Sequence, residues 1–391
     1  MRVLVVDHVS KVLGGAEVNV LELLAHPAVR ADWDVHLAAA PGSPLAQRVA
    51  DLGWPLVPHQ FGSALNELRI VGRGFSPMAK FRGWQELRRA TDRLAATLAS
   101  LRPQVVLSCT NKDHFAAGAA ARPLGIPSVW WMNDILSADF FGWPVRRLFV
   151  QRARKLATCV APVSHCGRAA LVAEGVPADR CETIHNGIPL GRYVRHPGRP
   201  LRTELGLAPG EPLFGLIGRI TPWKGQDVFV RLAAAWVEQK RPGTFVIIGR
   251  AFNEDAGFEQ QVRDEIQRLG LAQRVRFVSF QSDVAAAISS LDVLVHTSTK
   301  PEPFGRVVIE AMAVGTPVVA ARAGGTPEIL SDGVTGALVT PGDVAGYVTA
   351  LKRALVEGLG TWVPRATAVV RDRFSLDRVV TDFERLFQRA V

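Results

Sequence analysis

Short apolar runs separated by stretches of helical spacing constrain the fold of this chain more than any other feature of its 391 residues. In the first half, Val3–Val6, Val35–Ala39, Val105–Leu107, Ser128–Trp131 and Val160–Val163 read as strands. Helical patterns fall near 15–26, 84–100, 114–122 and 145–157. The second half repeats the theme with Phe214–Ile217, Phe245–Ile248, Val275–Val278, Val293–Val295 and Val318–Ala320. Strands that are apolar throughout need cover on both faces, and an intervening helix lets consecutive strands run parallel. The pattern therefore predicts an α/β protein of two Rossmann-like, doubly wound parallel-sheet domains. The polar, Pro- and Gly-rich segment Arg195–Pro200 is the linker candidate. Leu376 to Val391 reads as a final helix with Val379, Val380, Phe383, Leu386 and Phe387 on one side.

Bulk properties exclude several classes. Nearly half the residues are apolar (48%) and 21% are charged, the profile of a globular domain, with length for about two or three such domains. No apolar run approaches the ~18 residues of a membrane span. The opening Met1–Asp7 reads as a strand, too short in its apolar part for a signal peptide. Cys109, Cys159, Cys166 and Cys181 have no Cys-x-x-Cys spacing, so neither a zinc site nor a disulfide framework is expected, and the expected setting is reduced and cytoplasmic. The formal charge of +10 suits an anionic ligand or surface. It is spread along the chain, with no zinc-finger, helix-turn-helix or RNA-recognition pattern, so nucleic acid is not the expected partner.

Chemistry concentrates in three loops. Lys300-Pro-Glu-Pro-Phe-Gly-Arg306 follows the run Val293–Val295, and Pro301 and Pro303 hold it extended. Helical spacing then begins and ends at Gly315 and Pro317. Glu302 sits at a strand's carboxyl end, and Glu310 lies two turns into the next helix. The amides of Gly305, Arg306 and Val307 at that helix N-terminus offer an anion site between the carboxylates. A nucleotide-sugar has the matching order of ribose, diphosphate and sugar. Gly218-Arg-Ile-Thr-Pro-Trp-Lys-Gly225 follows another strand and carries Arg219 and Lys224, two cations suited to a diphosphate. After the first strand, Gly14 and Gly15 open a helix and supply a second amide-rich loop. The Gly-x-Gly-x-x-Gly fingerprint of dinucleotide enzymes is missing there. Asp32-Trp-Asp34 has the form of a metal-binding Asp-x-Asp, but an acidic turn ahead of a strand explains it, and no metal site is assigned.

Two glutamates with seven residues between them, set in Glu-Pro-Phe-Gly…Glu-Ala-Met-Ala…Gly-Thr-Pro-Val-Val, resemble the signature of family 4 (group 1) retaining glycosyltransferases of the GT-B fold. The resemblance implies two Rossmann-like domains facing across a cleft: an acceptor-binding domain over 1–192, a nucleotide-sugar donor domain over 193–372, and a last helix, 373–391, crossing back to the first domain. It implies a hexosyltransferase-type enzyme that moves a sugar from a nucleoside-diphosphate donor to an acceptor hydroxyl with retention, without a bound metal or cofactor. Arg219, Lys224 and Glu302 take the catalytic roles. Gly14, Gly15, Gly218, Phe304, Gly305, Arg306, Val307 and Glu310 take donor and nucleotide contacts. Many relatives carry a histidine in the loop after Val129–Met132. Here Asn133 stands in its place beside Asp134, and asparagine cannot shuttle a proton. Asn133, Asp134, Asn111 and Lys112 are the acceptor or sugar contacts expected. The fold also hosts epimerases, phosphorylases and a non-catalytic nucleotide-sugar-binding partner subunit, which stay open as alternatives. Two basic-aromatic stretches, Leu68–Arg89 and Phe140–Lys155, suit peripheral contact with the inner face of an anionic membrane if the acceptor is lipid-linked, or are solvated helices with a buried aromatic face. Glycan, lipid-linked and small-molecule acceptors are all compatible.

Overall fold

The computed structural model describes every residue except 10–12, 68–76 and 253–254. Arg69, Arg73 and Phe75 of the first basic-aromatic stretch lie outside the described residues. The chain forms two units, Met1–Gly187 with Leu376–Val391, and Ile188–Ser375.

The first unit holds β1 (Arg2–Asp7), β2 (Asp34–Ala39), β3 (Leu56–Pro58), β4 (Val105–Ser108), β5 (Ser128–Met132) and β6 (Cys159–Pro162). The second holds β7 (Leu213–Ile217), β8 (Thr244–Ile248), β9 (Val275–Val278), β10 (Val293–His296), β11 (Val318–Ala321) and β12 (Ala337–Val339). Among the described residues each set is one six-stranded sheet, ordered β3-β2-β1-β4-β5-β6 and β12-β11-β10-β7-β8-β9. Every ladder is parallel, with Val5 opposite Leu37 and Leu107, for example, and Leu294 opposite Gly215 and Val318. Both orders are doubly wound: the chain works outward on one side, returns to the middle and works outward on the other. The reversal falls between β1 and β4 in the first unit and between β7 and β10 in the second. Ligands of open α/β sheets bind outside the strands' carboxyl ends at such a reversal.

Most strands read clearly because both faces are buried: β4, β5, β6, β8, β10 and β11 have no exposed residue. β3 and β12 were not expected from sequence. Each is a three-residue edge strand, and β3 has two exposed residues of its three, so neither carries a long apolar run. The expected linker is also corrected. Arg195–Pro200 belongs to the second unit, where the Arg199 guanidinium donates to the Ser289 and Ser290 carbonyls and pairs with Asp292 at 2.7 Å. Its prolines and glycine shape a fastened surface segment, and the division falls earlier, after Gly187.

The last helix, Leu376–Ala390, packs within the first unit. Its apolar stripe inserts Phe383 edge-on against Trp131 at 4.9 Å and Phe387 against Trp33 at 5.2 Å. His26–Asp377 and Arg389–Glu182 contacts flank the stripe. Both phenylalanines are fully buried, so the first unit's core depends on the chain's final residues. Truncating such a ring removes apolar burial and leaves a cavity. Phe383→Ala is expected to destabilise the protein by about 3–5 kcal/mol, read as a lowered urea midpoint; an unchanged midpoint would show that this helix does not hold the unit together.

Candidate active site

In the second unit, the loops after β7 and β10 are stitched together backbone to backbone. Gly225, at φ +72°, closes the turn Pro222–Lys224 and opens the helix Gln226–Glu238. A Cβ on residue 225 would lie 2.1 Å from the Thr297 carbonyl oxygen, so only glycine permits this approach. The Thr297 hydroxyl donates to the Gly225 and Lys224 carbonyls at 2.9 and 3.1 Å. The Gln226 amide reaches back to the Arg219 carbonyl at 2.9 Å. Lys224 is thereby delivered to Glu302, its ammonium 2.6 Å from the carboxylate and 4.3 Å from the Trp223 ring centre.

Glu302 is anchored from behind. Gly324, at φ +63°, lets the chain after β11 press against it, and the Gly325 amide donates to the Glu302 carbonyl at 2.8 Å. Its side chain also meets His296 Nε2 at 3.1 Å and accepts from the Ser298 hydroxyl at 3.1 Å. The Tyr347 hydroxyl fixes the backbone there by donating to the His296 carbonyl at 3.0 Å. Burial by itself would raise the Glu302 pKa, but the Lys224 charge and the contacts from His296 and Lys224 outweigh it. The carboxyl is held well below the ordinary range.

The helix Arg306–Val314 begins at Gly305, φ +106°, with no side-chain cap. Its dipole and first-turn amides face the region beyond β10 as a positive end. Glu310 lies one turn in, not the two expected, because the helix starts only at Arg306; it accepts from Arg306 at 2.7 Å and from the Tyr193 hydroxyl at 3.1 Å, and the Arg306 guanidinium also donates to that hydroxyl at 3.0 Å. Arg219 pairs with Asp255 at 3.0 Å and lies 4.4 Å from the Phe252 ring centre. Gly218, at φ +154°, lets its carbonyl meet Gly249, where a Cβ would stand 2.0 Å away. Phe304 is buried against Phe374 at 5.6 Å, so its ring wedges the loop.

The first unit assembles the remaining candidates beyond β1, β4 and β5. The Gly14 amide donates to the Glu17 carboxylate at 2.6 Å, so this amide is already engaged and Glu17 brings a carboxyl to the helix N-terminus; Gly15 starts the helix Gly15–Ala25. The Asn19 amide meets Asn133 at 3.4 Å, and the Asn111 amide donates to Asp134 at 2.8 Å. Lys112 is half-buried; that burial draws its pKa down, against the opposing charges of Asp113 and Glu86. Asp34, of the Asp-x-Asp triplet, pairs with Arg2 at 2.6 Å.

Sequence reasoning missed His296, Ser298, Tyr193 and Asp255. The first two directly follow the core of β10 and were within reach of a rule that inspects every strand's carboxyl end. Tyr193 and Asp255 lie far from their partners in sequence and carry no local signal.

With this geometry in place, comparison with known proteins decides the family. The family described as glycosyl transferases group 1 matches residues 199–359, and Glycosyltransferase Family 4 matches residues 13–192. The chain belongs to the family 4, group 1 glycosyltransferases. D-inositol 3-phosphate glycosyltransferase of Mycobacterium marinum is 35% identical over 222 residues, 54% of this chain and 46% of that protein. The Nocardia farcinica protein of the same name is 36% identical over 181 residues, 45% and 40%. The matches thus span about half the length of these curated relatives. Anabaena Alr3699/HepE, solved in complex with UDP and glucose and with UDP-glucose, superposes with TM-score 0.84 at 25% identity; the UDP and glucose complex covers 99% of both chains. Sucrose-phosphate synthase from Thermosynechococcus elongatus has the same fold, with TM-score 0.79 at 22% identity over 99% and 98% of the two chains. Two six-stranded parallel sheets with flanking helices are the GT-B fold of this glycosyltransferase family.

Folded Glu302 keeps its charge to lower pH than an unfolded glutamate, which titrates near ~4.3. Its contribution to stability is therefore complete above that value and is lost as the pH falls toward the folded pKa. Glu302→Gln is expected to cost about 1.5–3 kcal/mol at pH 7, with the deficit narrowing below about pH 4. Urea unfolding from pH 7 to 3 checks this, and a deficit independent of pH would remove the charged pair from the account.

Proposed function

We propose that the chain transfers a hexosyl group from a nucleoside-diphosphate sugar to an acceptor hydroxyl. The observation that carries this reading is the Lys224–Glu302 pair, set by the β7 and β10 loops beside an uncapped helix N-terminus. Cleaving the sugar–phosphate bond builds negative charge on the departing diphosphate. Lys224, Arg219 and the amides at Gly305–Val307 supply preorganised positive charge for it, which is worth most in the transition state. Glu302 holds sugar hydroxyls and Glu310 the ribose. Because the cations are side chains, the reaction needs no metal or cofactor. It retains configuration, as its family signature implies. A UDP-sugar is the donor class best supported, since Alr3699/HepE, matched over 99% of both chains, was solved with UDP and glucose.

The polar set Asn19, Asn133, Asn111 and Asp134 suits a hydroxyl-rich acceptor such as a glycan or polyol. The curated relatives are named for an inositol phosphate, a compound of that class. No described helix is long and apolar enough to cross a membrane. Exposed Phe81 and Trp84, stacked at 6.3 Å with Arg88 over Trp84 at 5.7 Å, supply an aromatic-basic surface for peripheral contact with an anionic membrane from the cytoplasm.

A thermal-shift screen with UDP, GDP, ADP and dTDP sugars, with EDTA present, should single out UDP sugars, because ligand binding stabilises the native state. Lys224→Ala should lower kcat by about 10²–10³-fold with a smaller change in KM. No shift with any nucleotide, or wild-type turnover in the lysine variant, would overturn the reading.

A further inference from the structure

Three donors converge on one oxygen of Glu302, and two of them, His296 and Ser298, come from behind it. Glu302 Oε2 accepts from the Lys224 ammonium at 2.6 Å and the Ser298 hydroxyl at 3.1 Å, and meets His296 Nε2 at 3.1 Å. His296 Nε2 also lies 3.0 Å from the Ser298 hydroxyl oxygen. Glu302 is an anion, held well below the ordinary carboxylate range, so the ring nitrogen facing it must carry a hydrogen. Nε2–H is therefore shared between Oε2 and the Ser298 oxygen, and the Ser298 hydrogen goes to Oε2. Among the described residues no group donates to Glu302 Oε1.

The strand delivers this triangle. His296 ends β10, and alternation along an extended chain sends residues 296 and 298 to one side and 297 to the other. Thr297 accordingly bonds the Lys224 and Gly225 carbonyls, while His296 and Ser298 face Glu302. The His296 side chain is 4% exposed and Ser298 is fully buried, whereas Lys224 and Glu302 keep 17% and 11% of their side-chain surface open. A ligand can reach the second pair and not the first. His296 Nδ1 is buried without a partner, a destabilising feature that an apolar side chain of similar size would not carry. What the histidine supplies in return is its Nε2–H.

A carboxylate turns readily about its terminal bond. With Oε2 saturated by a lysine, an imidazole and a hydroxyl, exchanging the two oxygens would break three hydrogen bonds at once. Oε1 keeps its lone pairs for a ligand. An ammonium has three hydrogens, so Lys224 retains two for a diphosphate after serving Oε2. We propose that His296 and Ser298 are positioning residues for the donor sugar: they lock the Glu302 carboxylate so that Oε1 accepts from sugar hydroxyls while Oε2 stays with Lys224. The inference rests on the transferase reading above and deepens it, dividing the two oxygens of one carboxylate between protein and sugar. All the residues it uses belong to the second unit.

Thermal shifts with UDP and with UDP-glucose separate nucleotide binding from sugar binding, and UDP release from UDP-glucose, with water or glycerol as acceptor, gives kcat and KM. His296→Leu and Ser298→Ala should bind UDP as the wild type does and lower kcat/KM for UDP-glucose about 10–10²-fold. His296→Gln, whose amide can place an N–H near the position of Nε2, should recover most of that loss. The readout that a merely structural role would not give is the cycle with Glu302→Gln. In that background His296→Leu should cost nothing further, because it acts only through the carboxylate. Ser298→Ala carries the same cycle if His296→Leu does not fold. Full additivity with Glu302→Gln would overturn the inference, as would wild-type kcat/KM in both His296→Leu and Ser298→Ala, or equal weakening of UDP and UDP-glucose. A wild-type protein that neither binds UDP nor releases it from UDP-glucose would instead overturn the transferase reading, and this inference with it.

Discussion

The Thr297 carbonyl occupies the space that a Cβ on residue 225 would need, and the candidate donor site follows from that close approach. It brings the loop after β7 against the loop after β10 at the one place in the sheet where neighbouring strands lead away in opposite directions. Helices on either side cannot fill the resulting gap, so loops line it. Gly324 does for the strand-β11 side what Gly225 does for the β7 side. Between these two backbone contacts, Glu302 has little freedom to move, and Lys224 is presented to it on a short, closed turn.

Charge is compensated in each unit by the same device. In the second, a buried carboxylate is kept ionised by a lysine and flanked by His296 and Ser298. In the first, Asp113 is kept ionised by two histidines and a threonine. An isolated buried carboxylate is driven toward its protonated form, and Asp7, whose pKa is pushed up by burial and by neighbouring Glu17 and Asp113, shows that tendency nearby. The partners therefore decide which acids in these loops carry charge. Low-dielectric surroundings strengthen both the pairings and the cost of losing one partner. Rigid, charged groups at the ends of otherwise apolar strands are what a transfer reaction with a developing anion requires.

Much of this was legible beforehand. Buried parallel strands are apolar on both faces, so ten of the twelve strands announce themselves as runs such as Val3–Val6 and Phe245–Ile248. The edge strands Leu56–Pro58 and Ala337–Val339 did not, because each run is only three residues long. Glu302, Glu310, Arg219 and Lys224 were readable because glycines and prolines with fixed geometric tasks surround them. The Pro- and Gly-rich Arg195–Pro200 misled for the opposite reason: its composition matches a linker, while the contacts that fasten Arg199 to Asp292 come from 93 residues away.

The sequence by itself determined the two doubly wound sheets and the loops that would carry chemistry, because periodicity and turn residues act over a few positions. It could not determine which side chains would meet. Lys224 and Glu302 are 78 residues apart, His59 and Asp113 54, and His8 and Asp113 105. Only the strand order places β1 beside β4 and β7 beside β10, and that order is settled by packing of the whole core rather than by any local stretch. Tertiary structure thus decided the charge state of Glu302 and Asp113, since each depends on a partner distant in sequence.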